Sequence, residues 1–146
     1  CGNRGCWELY ASNSAAVRYY ADSTTSARNG KASARPGAQS VSFEDLLRLS
    51  EQGDAKALAA LKQMADYLGQ GIALLVNGLA PDVIVVIGEV TRAWREVGQS
   101  INKSINAHSF THATARIVPT DPISQPRLRG TIALILQNHF GAPSVA

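Results

Sequence analysis

The run Val83-Ile84-Val85-Val86-Ile87, stopped by Gly88, limits the possible folds more than any other stretch of the chain. Five consecutive apolar, mostly β-branched residues without alternation predict a strand covered on both faces, as in a parallel sheet. Upstream, Leu58, Leu61, Ala65, Leu68, Ile72, Leu75 and Leu79 step by three and four after Asp54, a residue suited to cap a helix. A long helix therefore feeds the strand through Pro81 and Asp82. Downstream, Trp94, Val97, Ile101 and Ile105 mark an amphipathic helix, and Ala115-Arg116-Ile117-Val118 marks a second short strand. Parallel strands need a crossover connection, so these elements predict a β-α-β unit and an α/β class.

The remaining segments fill in around that unit. Residues from Trp7 to Tyr20 carry helical spacing, with Leu9, Val17 and Tyr20 on one face. Residues 23–37 are small, polar and basic, which predicts an exposed loop. Ser42 followed by Phe43-Glu44-Asp45 reads as an N-cap with acids in the first turn, opening a short helix to about Leu49 that Gln52-Gly53 ends. Gly69, Gly71 and Gly78 each cost a helix about 1 kcal/mol against Ala, so they are expected to permit close backbone packing or to end the helix. Pro119, Pro122 and Pro126 precede a last helix through Leu128, Ile132, Ile135, Leu136 and Phe140, expected to pack back on the sheet.

At 146 residues the chain has the size of one domain. No apolar run approaches the roughly 20 residues that span a bilayer, so no membrane partner is expected and the location is read as cytoplasmic. The start CGNRGCWE has neither a signal peptide's basic and apolar regions nor an initiator Met, which predicts a piece of a longer protein. A net charge of +3 arises from dispersed Lys and Arg, with a local excess at Arg18, Arg28, Lys31 and Arg35. Nucleic-acid surfaces concentrate many more positive charges on one face, so a solvated loop is the better reading than direct DNA contact.

The first eight residues carry the most chemistry. Cys1 and Cys6 flank Gly2 and Gly5, and Glu8 follows two residues later. Thiolates at short spacing with glycines can wrap a zinc ion, but two thiols supply only half of a tetrahedral sphere. The remaining donors could precede Cys1, or come from His108 and His112, which stand four residues apart; the thiols could equally be free or joined locally. Two cysteines within one turn exclude the disulfide framework of a small secreted domain.

Cys1-Gly2-Asn3-Arg4-Gly5-Cys6-Trp7-Glu8 resembles, from the second Cys of the pattern onward, the Cys-x-Cys-Gly-x-x-Gly-Cys-x-Glu pattern of the ROK family, a group of repressors and sugar kinases. Two further stretches are similar to that family: Tyr67 through Asn77 with Pro81 through Gly88, and Arg129-Gly130-Thr131-Ile132-Ala133-Leu134. The resemblance implies the C-terminal half of an actin-like, ribonuclease H-like sugar kinase fold. On that basis residues 1–146 are expected to be the C-terminal part of an effector-binding domain, with residues 1–8 as its zinc-turn segment and residues 23–37 as an exposed loop.

The family's site residues carry over by position. Cys1 and Cys6 match ligands of a structural zinc, completed by a Cys and a His that would precede this chain. Glu8 matches the residue that contacts hydroxyls of a bound sugar; an ionised carboxylate can accept two strong hydrogen bonds from vicinal hydroxyls. Kinases of the family usually carry Gly-Gly after the late strand, at the nucleotide turn, whereas this chain has Gly88-Glu89. A carboxylate there is unfavourable for phosphates by charge and bulk. The expectation is a sugar-responsive transcriptional regulator whose effector is a sugar or sugar phosphate. It would reach DNA only through an absent N-terminal domain and assemble as a homodimer or higher homo-oligomer. A sugar kinase and a non-catalytic dimerisation scaffold are the alternatives. No catalytic residue and no nucleotide-binding residue is assigned within the chain.

Overall fold

A computed structural model describes residues 4–26, 41–110 and 115–141. The helices are α1 (Glu8–Ala11), α2 (Asn13–Ser26), α3 (Phe43–Glu51), α4 (Ala55–Leu79), α5 (Trp94–His108) and α6 (Pro126–Phe140). Strand β1 (Val83–Val86) pairs in parallel with β2 (Arg116–Pro119), Val83 opposite Arg116 and Val86 opposite Pro119. The crossover between them is a short 3-10 turn, Glu89–Ala93, followed by α5. The expected β-α-β unit is therefore present.

Local chemistry explains where the helices begin. Ser42 accepts from the Asp45 amide while the Asp45 carboxylate accepts from the Ser42 amide, a reciprocal capping box. The Ser42 hydroxyl, which donates to the same carboxylate at 2.7 Å, and then the Ser42 amide hold the Asp45 carboxyl below its ordinary range. Asp54 accepts from the Ala57 amide at 2.7 Å and opens α4. Between α1 and α2, Ser12 adopts an extended conformation and breaks what would otherwise be one helix.

The core lies between α4, α5 and the inner face of the sheet. Leu61, Met64, Val76, Val97 and Ile101 are essentially inaccessible, as are Leu46 and Leu47 of α3. Burying each such side chain contributes about 2 kcal/mol before conformational entropy is counted. The α4–α5 seam is close at one point. A Cβ built on Gly69 would stand 2.6 Å from the Ile101 carbonyl oxygen and 2.7 Å from the Ser104 Cβ. Ser104 also donates to the Asp66 carbonyl at 2.7 Å. The expectation of close backbone packing thus holds at Gly69; at Gly71 the space is taken by a side chain, as shown below, and nothing stands within 4 Å of Gly78.

Three expectations need correction. Strand β1 is not covered on both faces by the described residues: Val86 is buried and Ile84 partly so, but Val83, Val85 and Ile87 are 41–54% exposed. Helix α6 does not bury its apolar side on the sheet; Leu128, Ile132, Ile135, Leu136 and Phe140 are 47–80% exposed. Apolar patterning records that a partner layer exists, not which residues supply it. The predicted loop at residues 23–37 begins inside α2, which runs on to Ser26 with the Ser23 and Thr24 hydroxyls satisfied on the carbonyls of Tyr20 and Ala21 instead of drawing the chain into a turn. The rest of that stretch lies outside the described residues.

Helix α3 is tied to the turn after β1 by an ion pair between Glu44 and Arg92. The hydrogen bond from Arg92 holds the Glu44 carboxyl below its ordinary 4.5. A depressed carboxyl contributes stability above its unfolded pKa and loses it as pH falls through the folded value. Both side chains are solvated, so the effect is small. The melting temperature of Glu44→Gln should fall slightly below that of the parent at neutral pH, and the gap should close below about pH 4. A gap that widened in acid would contradict the pairing.

Candidate functional site

The segment carrying Glu8 is held against α4 from several directions. Gly5, at φ +74°, turns the chain, and the Leu9 amide then donates to the Cys6 carbonyl to start α1. A four-residue helix has no stability of its own. Its position comes from tertiary contacts: the Trp7 indole Nε1 donates to the Tyr67 carbonyl at 2.7 Å, and the Tyr10 ring lies 5.1 Å from that of Tyr67. From α2, Arg18 donates to the Leu9 carbonyl and Tyr19 to the Tyr10 carbonyl. Burial and the neighbouring Tyr67 push the Tyr19 hydroxyl upward from its ordinary pKa.

Gly71 makes room for this docking. A Cβ there would stand 2.2 Å from Trp7 Cε2, inside the indole. Gly69 and Gly71 are two residues apart, about 200° around a helix, so one seats α5 and the other seats Trp7 on roughly opposite sides of α4. Glu8 itself is exposed at the start of α1.

The second part of the site is the exit from β1. Gly88 adopts φ +124°, ψ −177°, a conformation open essentially to glycine. Its carbonyl accepts from the Thr91 amide and hydroxyl, which closes the 3-10 turn. Glu89 is exposed yet anchored: Asn13 Nδ2 donates to its Oε2 at 2.6 Å across 76 residues of sequence. Two cavities meet at this turn. One, of about 400 Å³, runs between Ala11 and Asn13 on one side and Gly88 and Glu89 on the other, floored by Met64, Leu68 and Val86. The other, of about 330 Å³, is lined by Gly88, Glu89, Arg92, Thr120, Asp121 and Gln125. Ile87, Gly88 and Glu89 form the wall common to both.

The sequence singled out Gly88 and Glu89, and the structure joins them to the segment that carries Glu8. The Asn13 partner and the Trp7 seat were not foreseen. Gly71, a glycine inside an apolar helix, was the only signal of the second, and nothing local announces the first.

As for metal ligands, Cys1 lies outside the described residues. Cys6 is half-buried in the turn. Among the described residues no group of three or more His, Cys, Asp or Glu side chains could hold a metal ion. His108 sits on α5 with Nδ1 2.8 Å from the Ser104 carbonyl, and His112 lies outside the described residues. The thiol of Cys6 suits zinc chemically, but the described residues form only part of a coordination sphere. No described helix is long and apolar enough to cross a membrane.

Known proteins with similar sequences and structures include both repressors and kinases. A xylose repressor from Bacillus spizizenii is 29% identical over 75% of this chain and 25% of its own length. A glucokinase from Halalkalibacterium halodurans is 30% identical over 80% of this chain and 34% of its own. The Escherichia coli transcriptional dual regulator NagC is 28% identical over 75% and 26%. The chain thus spans about a quarter to a third of these relatives. Among solved structures, a ROK family transcriptional regulator homologous to the E. coli MLC protein superposes with a TM-score of 0.67 at 27% identity, over 82% of this chain and 29% of that one. A ROK family glucokinase from Streptomyces griseus, in complex with glucose and AMPPNP, gives 0.65 at 27% identity, over 82% and 40%. These neighbours bear out the α/β class as part of the actin-like, ribonuclease H-like sugar kinase fold. With the ROK family profile matching residues 1–138, the chain belongs to the ROK family.

Proposed function

We propose that this chain is part of the effector-binding and oligomerisation region of a sugar-responsive transcriptional regulator, with Glu8 contacting hydroxyls of the sugar. The observation that carries the choice of regulator over kinase is the fixed carboxylate of Glu89. Asn13 holds it in the wall shared by both cavities, and Asp121 lines one of them as well. Arg92, which of the two lines only the cavity that holds Asp121, is already paired with Glu44. Two like charges 4 Å apart repel by about 1 kcal/mol in water and about 4 kcal/mol at a protein surface, so a polyanionic nucleotide is disfavoured here. The similarity to a xylose repressor and to NagC supports the same reading. Sugar binding would shift the balance between DNA-competent and DNA-incompetent states, with DNA contacted by another part of the intact protein. The apolar residues exposed on α6 support a homo-oligomer.

A sugar kinase is the second reading, favoured by the similarity to two glucokinases. The intact protein separates them. D-xylose, D-glucose or N-acetyl-D-glucosamine should bind and alter affinity for operator DNA, without sugar-dependent ATP consumption in a coupled assay. Sustained ATP turnover would establish the kinase. Loss of both binding and turnover would leave a dimerisation scaffold. We further propose a structural zinc on Cys1 and Cys6, completed by donors elsewhere in the intact protein. Metal analysis should find one zinc per subunit, and Cys6→Ser should lose it together with sugar affinity.

A further inference from the structure

We infer that Glu89 is a positioning residue for sugar recognition: through Asn13 it fixes the start of α2 and thereby the placement of Glu8. The inference rests on the proposed role of Glu8. Helix α1 is too short to hold its own orientation, and its carbonyls at Leu9 and Tyr10 are bound by Arg18 and Tyr19 of α2. Its geometry therefore depends on α2 as well as on the Trp7 and Tyr10 contacts with α4. Helix α2 buries Ala15 and Ala16 completely, two small residues near its start, and packs Val17, Tyr19 and Tyr20 partly buried against the core further along. Ser12, extended between the two helices, permits a change of angle at that joint. Asn13 is the first residue of α2, and its bond to Glu89 fastens that end to the turn after β1.

The other side of that turn is fastened in its own right. Gly88 closes it through Thr91, and Arg92 ties it to Glu44. Glu89 therefore links α2 to a braced point of the fold. A carboxylate accepts the amide more strongly than a neutral group would, which makes the clasp effective despite its exposure. This also gives Glu89 a use that does not depend on any ligand in the cavities on either side.

The test is a thermodynamic cycle in the intact protein, read by calorimetry with whichever of D-xylose, D-glucose and N-acetyl-D-glucosamine binds the parent most tightly. Glu89→Ala should weaken binding roughly five- to tenfold, the loss expected for one solvent-exposed hydrogen bond of about 1 kcal/mol. Asn13→Ala should do the same, and the double variant should be no worse than either single one. Glu89→Gln, which can still accept from Asn13, should restore most of the affinity. The decisive readout is Glu89→Ala on the Glu8→Ala background. A residue acting through Glu8 has no further effect there, whereas general destabilisation would weaken binding again. If Glu8→Ala weakens binding and Glu89→Ala does not, or if their losses add, the positioning role is overturned and the function stands. If Glu8→Ala has no effect, or none of the three sugars binds the parent, the functional reading itself falls and takes this inference with it.

Discussion

Gly69→Ala should destabilise the protein by about 2–3 kcal/mol, and the midpoint of chemical denaturation should fall accordingly. In an open helix the substitution would gain about 1 kcal/mol from propensity. Here the new methyl group would lie 2.6 Å from the Ile101 carbonyl oxygen and 2.7 Å from the Ser104 Cβ. A backbone oxygen cannot rotate away as a flexible side chain can, so α4 and α5 must separate. Separation costs twice. It loosens the contacts of Val97 and Ile101, both fully buried, and it stretches the bond from Ser104 to the Asp66 carbonyl, worth about 1 kcal/mol. Gly78→Ala is the matched control: it is in the last turn of the same helix with open space around it, and it should gain up to about 1 kcal/mol. If both variants behaved alike, backbone propensity alone would govern Gly69 and the close seam would be wrong.

The glycines also show what was legible in the sequence. Features set by a few adjacent residues could be read directly: the capping box at Ser42, the cap at Asp54, the β-α-β alternation through Val83–Val86, and the long apolar stripe of α4. The stripe was right at Leu61, Ala65 and Ile72 but not at Leu75 and Leu79, which are 47% and 74% exposed. Those residues, the outer face of β1 and most of α6 share one property, apolar patterning without a partner among the described residues. The chain spans about a quarter to a third of the length of these relatives, and apolar patterning by itself does not say which residues cover a face. The candidate site was legible to a different degree. The family pattern marks Glu8 and Glu89 separately, yet the bond that connects their segments joins Asn13 to a residue 76 positions away. No helix or strand period extends that far, and both residues are polar, Asn13 half-buried and Glu89 exposed, so neither carried an apolar burial signal.

Gly71→Ala tests the seat of the Glu8 segment rather than the core. Its Cβ would intrude on the tip of the Trp7 indole, 2.2 Å from Cε2 and 2.6 Å from Nε1. Trp7 is 47% exposed, so the ring can swing into solvent instead of forcing α4 aside. The stability cost should therefore be small. Helix propensity offsets it by about 1 kcal/mol, and the net change should stay within about 1 kcal/mol of the parent. The site pays more heavily. Loss of the Nε1 bond to the Tyr67 carbonyl frees the turn that ends in Glu8, and on the role proposed for Glu8 a carboxylate displaced by about 1 Å would lose its paired hydrogen bonds to vicinal hydroxyls. Sugar affinity should drop by at least about tenfold, two hydrogen bonds of ordinary strength. Fluorescence provides a separate check: Trp7 emission should shift to the red, read in a Trp94→Phe background because Trp94 is the only other tryptophan of the chain. Trp7→Ala should reproduce the affinity loss, and Gly71→Ala added to it should change affinity no further, since the glycine is needed only where an indole is present. An unshifted emission with wild-type affinity would mean that Trp7 does not occupy the seat that Gly71 leaves for it.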